Sequence, residues 1–294
     1  MRIAHLIITY TDPEQTERMI RRMQHPDFDF YVHVDAKLPI SSHKALTAMP
    51  NVYLIKNRIK VQWAAFSTVQ ATFNSLHEIL NSARSYDFIS LMSGQDYPIK
   101  SPQYMQEFFA ERKGKLLLKY RSFQGDWEEA FERINRYHLT NYQFKGQYRL
   151  EVLINLFVKR SVPSLPFYGS SMFWAISPGA AEYVLDKVDS NKKLKRFFHF
   201  TWGSDEFIMQ TILMSSPFAP QISNENCHYY EHPPKTPSPK IFTTDDFSNI
   251  ISSDRIYARK FDISKDSFIL DKIDQHLLQS IEMLTEGEWK AKIV

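Results

Sequence analysis

Apolar runs alternate with amphipathic stretches along the first 120 residues, and this alternation sets the expected fold. Residues 3–9 form a nearly continuous apolar run, as a strand covered on both faces does. Asp12 before Pro13 and Glu14 is a helix start, and Met19, Ile20 and Met23 mark that helix's apolar stripe. Residues 30–35 read as a second strand that turns polar at Asp35, and 52–55 as a third. Residues 61–67 lead into a helix with Val69, Phe73, Leu76, Ile79 and Leu80 on one face. From Phe88 an apolar strand runs into the polar loop Ser93-Gly94-Gln95-Asp96, with Pro98 beyond it. Ser101 and Pro102 open a helix carrying Met105, Phe108 and Phe109, and 116–118 return as a strand. Strands and helices in alternation predict a doubly wound parallel or mixed α/β sheet.

The pattern changes over 120–166. Trp127, Phe131, Tyr137, Tyr142, Phe144 and Tyr148 are interleaved there with Arg133, Arg136, Lys145 and Arg149. This reads as a connecting segment, helical at most, that shapes one wall of a site. Residues 169–176 resume as a strand, and Pro178 begins a helix with Ala181, Val184, Leu185 and Val188 inward. In 200–213, Ser204 reads as an N-cap with Asp205 and Glu206 in the first helical turn. Residues 232–240 are proline-rich and extended; Thr243 or Thr244 caps a short helix after them. Residues 256–261 hold Arg259 and Lys260 in an aromatic frame, and a C-terminal amphipathic helix presents Phe268, Ile273, Leu277, Leu278 and Ile281.

Composition narrows the class. With 294 residues the chain can bury a large core as one domain, 1–294, with 1–119 as its nucleotide-binding part and 120–294 as its acceptor-binding and catalytic part. The 36 basic and 33 acidic residues leave a formal +3, too weak and dispersed to argue for nucleic acid, and no RNA-binding signature accompanies the basic and aromatic residues of 120–166. Cys227 is the only cysteine, which excludes an intrachain disulfide and a cysteine-built zinc site and points to a reducing compartment. The sequence shows neither a signal-peptide pattern nor an apolar run of about 18 residues. The expectation is a cytoplasmic protein without a transmembrane segment, which could sit peripherally at the inner face of the membrane.

Two stretches carry candidate chemistry. Ligands of open α/β sheets collect beyond the carboxyl ends of the strands, where Asp35 and the loop Ser93 to Asp96 fall. Gly94 would let backbone approach a ligand; equally, the loop reads as a buried strand and a turn in which Asp96 bonds its own backbone. Asp205 and Glu206 read either as ordinary helix-start charges or, beside Trp202 and Gly203, as a site that presents a sugar face. Cys227, His228, Glu231 and His232 match no established metal spacing, and scattered structural roles suit them better. No Gly-x-Gly-x-x-Gly follows the first strand, which argues against a dinucleotide-dependent oxidoreductase.

Taken together, His33-Val34-Asp35, Trp63 with Ser67, Ser93 through Pro98, Gly169-Ser170, Ser204-Asp205-Glu206, Ser215 through Phe218 and Ala258 through Asp262 resemble glycosyltransferase family 14. That family holds the core-2/I-branching β-1,6-N-acetylglucosaminyltransferases and the peptide O-xylosyltransferases. The resemblance spans nearly the whole chain. It implies a GT-A-type, Rossmann-like sheet with flanking helices, a UDP-sugar donor, a glycan acceptor that could be lipid-linked, inversion at the anomeric carbon, and no metal or other cofactor. By the same resemblance Glu206 is the catalytic base, Arg259 and Lys260 bind the diphosphate, His33 and Asp35 form the uridine pocket, and Trp63, Ser93, Gly94, Gln95 and Asp96 belong to the donor site.

The chain also departs from the family pattern. Ala64 and Ala65 stand where two glycines are common, and Ser171 stands where the xylosyltransferases carry aspartate, which favours a hexosamine donor. The animal enzymes are Golgi-anchored and disulfide-rich, so this chain looks like a bacterial relative. Inversion needs an ionised base, which a first-turn position would favour through the helix dipole, and fixed positive charge for the leaving diphosphate. The competing expectation is a catalytically silent UDP-sugar or glycan-binding protein of the same fold.

Overall fold

The computed structural model describes residues 1–291 except Thr11, Lys235 and Pro237, with the side chains of 280–291 outside the description. Ile281, expected on the C-terminal apolar face, and Lys235 and Pro237 of the proline-rich stretch therefore lie outside the described residues.

Among the described residues two sheets form. The larger is built from β1 (Ile3–Thr9), β2 (Phe28–Val34), β3 (Val52–Leu54) and β4 (Phe88–Ser93), then, beyond the short β5 (Asp96–Pro98), from β6 (Leu116–Ser122), β7 (Tyr168–Ile176) and β8 (Ile222–Ser223). Its order is β3-β2-β1-β4-β7-β6-β8. β1 pairs in parallel with β2 and β4, whereas β7 runs antiparallel to both β4 and β6. The sheet is thus mixed, and the carboxyl ends of β1, β2, β4 and β6 lie along one edge with the amino end of β7. The smaller sheet joins β5 to β9 (His228–Tyr229) and β10 (Tyr257–Arg259), in the order β5-β10-β9. Pro98 therefore belongs to a second, separate strand rather than simply closing the loop after β4.

Side-chain alternation divides the core. Leu6, Ile89 and Leu91 face one layer, which holds α2 (Phe66–Leu80), α6 (Pro178–Asp189) and α8 (Ile208–Met214). Ile3, Ile7, Phe88 and Met92 face the other, which holds α1 (Pro13–Arg22), α3 (Pro102–Glu111) and α10 (Phe268–Ala291). A strand with helices on both faces is apolar at most positions rather than at alternate ones, as the runs at 3–9 and 88–93 are apart from His5, Thr9, Ser90 and Ser93. The expected helix starts form: Asp12 accepts from the Glu14 N–H at 2.8 Å, Ser101 from the Tyr104 N–H at 3.2 Å, and Thr243 and Asp246 make a capping box before α9 (Phe247–Ile251).

Two features add to the expected pattern and one expectation changes. Residues 120–166 are no plain connection: they carry α4 (Phe131–Asn135) and α5 (Gln147–Phe157). A further helix, α7 (Lys192–His199), follows α6. Ser204 is not an N-cap. Gly203, in the left-handed region at φ 65°, starts a single 3₁₀ turn over Ser204–Glu206, and α8 begins only at Ile208. The Ser204 hydroxyl is buried without a hydrogen-bond partner. Asp205 and Glu206 therefore precede the helix instead of occupying its first turn.

Candidate active site

Two groups of side chains line the edge where the strands of the larger sheet end. The first is knitted around the loop after β4. Asp96 accepts the Ser93 N–H (2.7 Å) and the Ser93 hydroxyl (2.8 Å), meets His228 Nε2 at 3.1 Å, and takes the Arg259 Nε–H at 3.1 Å. Burial alone would raise this carboxyl, but His228, then Arg259 and the Ser93 N–H, hold it below the usual carboxylate value. Gln15 donates to the Gly94 carbonyl (2.8 Å), Tyr10 donates to Gln95 Oε1 (2.7 Å), and the Phe261 N–H reaches the Gln95 carbonyl (2.9 Å).

Asp96 and His33, both expected in the donor site, have fully buried side chains. All of Asp96's bonding capacity goes to Ser93, His228 and Arg259, so it holds Arg259 in place. His33 accepts the Ile59 N–H on Nε2 (3.2 Å), and burial lowers its basicity. Asp35 is also buried: Oδ1 accepts the Lys37 N–H (2.8 Å), while Oδ2, 3.3 Å from Lys37 Nζ, is sealed without a hydrogen bond. An acceptor atom left in that state suits a ligand N–H or O–H.

Arg259 lies with its guanidinium carbon 4.2 Å from the centre of the Phe173 ring. With Nε on Asp96, its terminal nitrogens make no hydrogen bond among the described residues. Burial, then the neighbouring Arg259 charge, lowers the pKa of Lys260, which also has no side-chain partner among the described residues. Of these two adjacent cations only Arg259 is held by an acid, which places a second positive charge beside it. A cavity of about 480 Å³ beside them is lined by Tyr10, Gln15, Leu38, Gln95, Phe261 and Asp262. A larger one, about 720 Å³, lined by Tyr137, Arg160, Tyr183 and Phe197 among others, includes none of the expected site residues.

The second group surrounds Glu206, whose Oε2 is ion-paired with Arg133. The Arg133 guanidinium carbon lies 4.8 Å from the Trp127 ring centre and 4.4 Å from that of Trp202. Trp202 in turn meets Trp63 edge-on at 5.7 Å, and Trp63 is 65% exposed, a flat apolar face open to solvent. The Gly203 N–H reaches the Ala64 carbonyl at 2.7 Å. Ala64 sits in the left-handed region at φ 56°, where glycine would be unstrained, so alanine keeps a glycine's backbone there at some cost. Asp205 Oδ1 is sealed without a partner, and burial, then the Glu206 charge, pushes this acid up to about 7.

β7 connects the two groups. Phe173 lies under Arg259, and at Gly169 an added Cβ would come 2.7 Å from the Glu206 carbonyl and 2.3 Å from Phe207 Cβ. Four residues of strand separate these supports by roughly 13 Å. Ser171, between them, is buried, with its hydroxyl accepting the Phe173 N–H at 3.2 Å. Sequence reasoning missed Arg133 and His228 as working partners. They are 73 and 132 residues from the acids they hold, and only their types, a cation among tryptophans and a histidine in an apolar stretch, hinted at them.

Three relatives share the region. A β-1,3-galactosyl-O-glycosyl-glycoprotein β-1,6-N-acetylglucosaminyltransferase 3 of Ovis aries is 24% identical over 74% of this chain and 48% of its own. The corresponding enzyme of bovine herpesvirus 4 is 27% identical over the same shares, and that of Homo sapiens 23% over 94% and 69%. The chain spans about half the length of the first two. A solved galactosyltransferase bound to donor and acceptor sugar analogues overlays 87% of this chain and 86% of its own at 8% identity, with a TM-score of 0.42, too loose a likeness to argue from. The Core-2/I-branching enzyme family model matches residues 3–251, and the chain belongs to that family.

Proposed function

We propose that this protein is an inverting, metal-independent glycosyltransferase. It moves a sugar, N-acetylglucosamine by analogy with its relatives' names, from UDP to a hydroxyl of a glycan acceptor and forms a β-linkage. The observation that carries this reading is Glu206, part-exposed, pinned through one oxygen on a guanidinium held between two tryptophans. Its other oxygen has no partner among the described residues and is free to take the acceptor hydroxyl's proton as that oxygen attacks the anomeric carbon. The pair with Arg133 orients the base, and the open face of Trp63 offers a surface for a sugar ring.

Arg259 and Lys260 would receive the diphosphate as the bond to the sugar breaks, and an arriving anion relieves their mutual repulsion. Asp35 Oδ2 would accept from the nucleoside. The chemistry of the loop after β4 supports metal independence. Its one acid, Asp96, is spent on Ser93, His228 and Arg259, which leaves no carboxylate there for a hard cation.

The test is turnover and hydrolysis with a panel of UDP-sugars, alongside calorimetric UDP binding. Glu206→Gln should retain UDP affinity and lose roughly 10²- to 10⁴-fold in turnover; a near-wild-type rate at saturating substrates would remove Glu206 as the base. Arg259→Ala and Lys260→Ala should each lose on the order of 10²- to 10³-fold, and wild-type activity should survive excess EDTA. Activity lost in EDTA and restored by Mn²⁺ would overturn metal independence. UDP-sugar binding with neither transfer nor hydrolysis would make the chain a binding protein of the same fold.

A further inference from the structure

An amphipathic helix on a protein surface ordinarily turns its apolar stripe inward. α5 does the reverse. Its inward face is polar: Gln147 donates to the Leu139 carbonyl (2.9 Å), Glu151 accepts the Leu139 N–H (2.9 Å), and Asn155 bonds both the N–H and the carbonyl of Tyr137 (2.8 Å each). These three side chains, four residues apart, tack the helix to 137–139 and leave its apolar face outward. Tyr148 is 76% exposed, Leu156 72% and Phe157 81%, with Leu153 and Val152 beside them, and no residue of α5 is buried. Isolated exposed apolar residues are ordinary, but a contiguous patch of this kind marks an interaction surface.

The charge around the patch selects its occupant. Lys145, Arg149 and Lys159 are exposed, Arg136 is exposed but faces Glu132 at 4.0 Å, and Glu151, the only acid in 137–160, faces inward. α7 borders the same region, with the Tyr142 hydroxyl 3.2 Å from His199 Nε2 and Asn141 bonded to the His199 carbonyl. It adds exposed Lys192 and Lys193, and no acid occurs over 190–200. An outward apolar stripe flanked by lysine and arginine is the pattern of a helix lying in a lipid interface. At 11 residues, α5 is about 16 Å long, too short to span a bilayer.

We propose that α5 seats this protein on an anionic lipid surface, its apolar face among the acyl chains and its flanking cations against acidic headgroups. α5 lies in the segment between β6 and β7, which leaves from and returns to the edge that carries Glu206, so docking brings that edge towards the bilayer. The proposal does not depend on the glycosyltransferase reading, and its readout is binding rather than turnover.

The experiment is co-sedimentation of the full chain with vesicles of phosphatidylcholine alone and of phosphatidylcholine with phosphatidylglycerol. Binding is expected to the acidic vesicles and to weaken as salt rises. Each cation near such a surface contributes about fivefold in affinity, so a triple change of Lys145, Arg149 and Lys159 to Gln should lower binding by roughly 100-fold. Leu156→Gln with Phe157→Gln should lower it at least tenfold while the melting temperature holds, because both side chains are already in water. Absence of binding to acidic vesicles, or binding indifferent to the Leu156 and Phe157 changes, would overturn the proposal. So would a dimer seen by analytical ultracentrifugation that the same double change dissociates without any lipid binding, since the patch would then belong to a second copy of the chain.

Discussion

Asp205 and Glu206 are neighbours in sequence with opposite surroundings. Glu206 has a guanidinium on one oxygen, whereas Asp205 has an oxygen sealed without a donor and a like charge beside it. The consequence for Asp205 is measurable. An acid whose native pKa lies above its unfolded value holds more protons when folded, so its favourable share of stability is full below the ordinary 3.8 and is lost as pH rises through about 7. Asp205→Asn removes that loss. The variant should gain on the wild type between pH 5 and pH 8, by on the order of 2 kcal/mol, in denaturant unfolding. A stability gap that stays constant over this range would show that Asp205 does not titrate there. The same residue-scale view separates Arg259 from Lys260: one is anchored by Asp96 and Phe173, the other is free to meet a ligand.

At the scale of elements, β7 is the ruler of the site. Its amino end must let the 204–206 turn lie directly on the backbone, and only a residue without a side chain allows that at 169. A Cβ there would meet Phe207 Cβ at 2.3 Å, the Glu206 carbonyl at 2.7 Å and Trp127 at 2.8 Å, two of them rigidly held. Gly169→Ala should therefore push the turn away, costing about 1–3 kcal/mol in unfolding free energy and lowering turnover of the folded protein at least tenfold. An alanine variant as stable and active as the wild type would mean that the turn yields without consequence. α5 illustrates the same scale differently: hydrogen bonds from Gln147, Glu151 and Asn155 decide its orientation against its apolar periodicity.

Across the whole molecule, Asp96 fastens the small sheet to the large one: it opens β5 in the small sheet, holds His228 of β9 and Arg259 of β10 there, and takes both Ser93 N–H and hydroxyl from the end of β4. Losing that carboxylate would leave Arg259, and His228 when protonated, without a counter-charge in a buried setting. Asp96→Asn should destabilise by roughly 3–5 kcal/mol near neutral pH. Because the native carboxyl titrates below its ordinary 3.8, its contribution is present above that value and disappears as pH falls through the native one. The wild type's advantage over Asp96→Asn should thus shrink at strongly acid pH; an advantage that does not depend on pH would point to shape rather than charge.

Local rules were enough for the elements whose surroundings are set by their own pattern. The doubly apolar runs at 3–9 and 88–93, the helix starts at Asp12-Pro13 and Ser101-Pro102, and Thr243 before α9 each carry their cause within a few residues. The sequence by itself also determined that Asp35 and the 93–96 loop share one edge of the sheet, because strand direction follows from alternating strands and helices. Tertiary structure alone decided the rest. Gly203 broke the expected helix start into a separate turn, Arg133 paired with Glu206 from 73 residues away, and Asp96 turned inward to hold a cation from the far end of the chain. Periodicity tells which face of a helix is apolar but not what that face meets, and an ion pair between distant residues leaves no mark on the sequence around either partner.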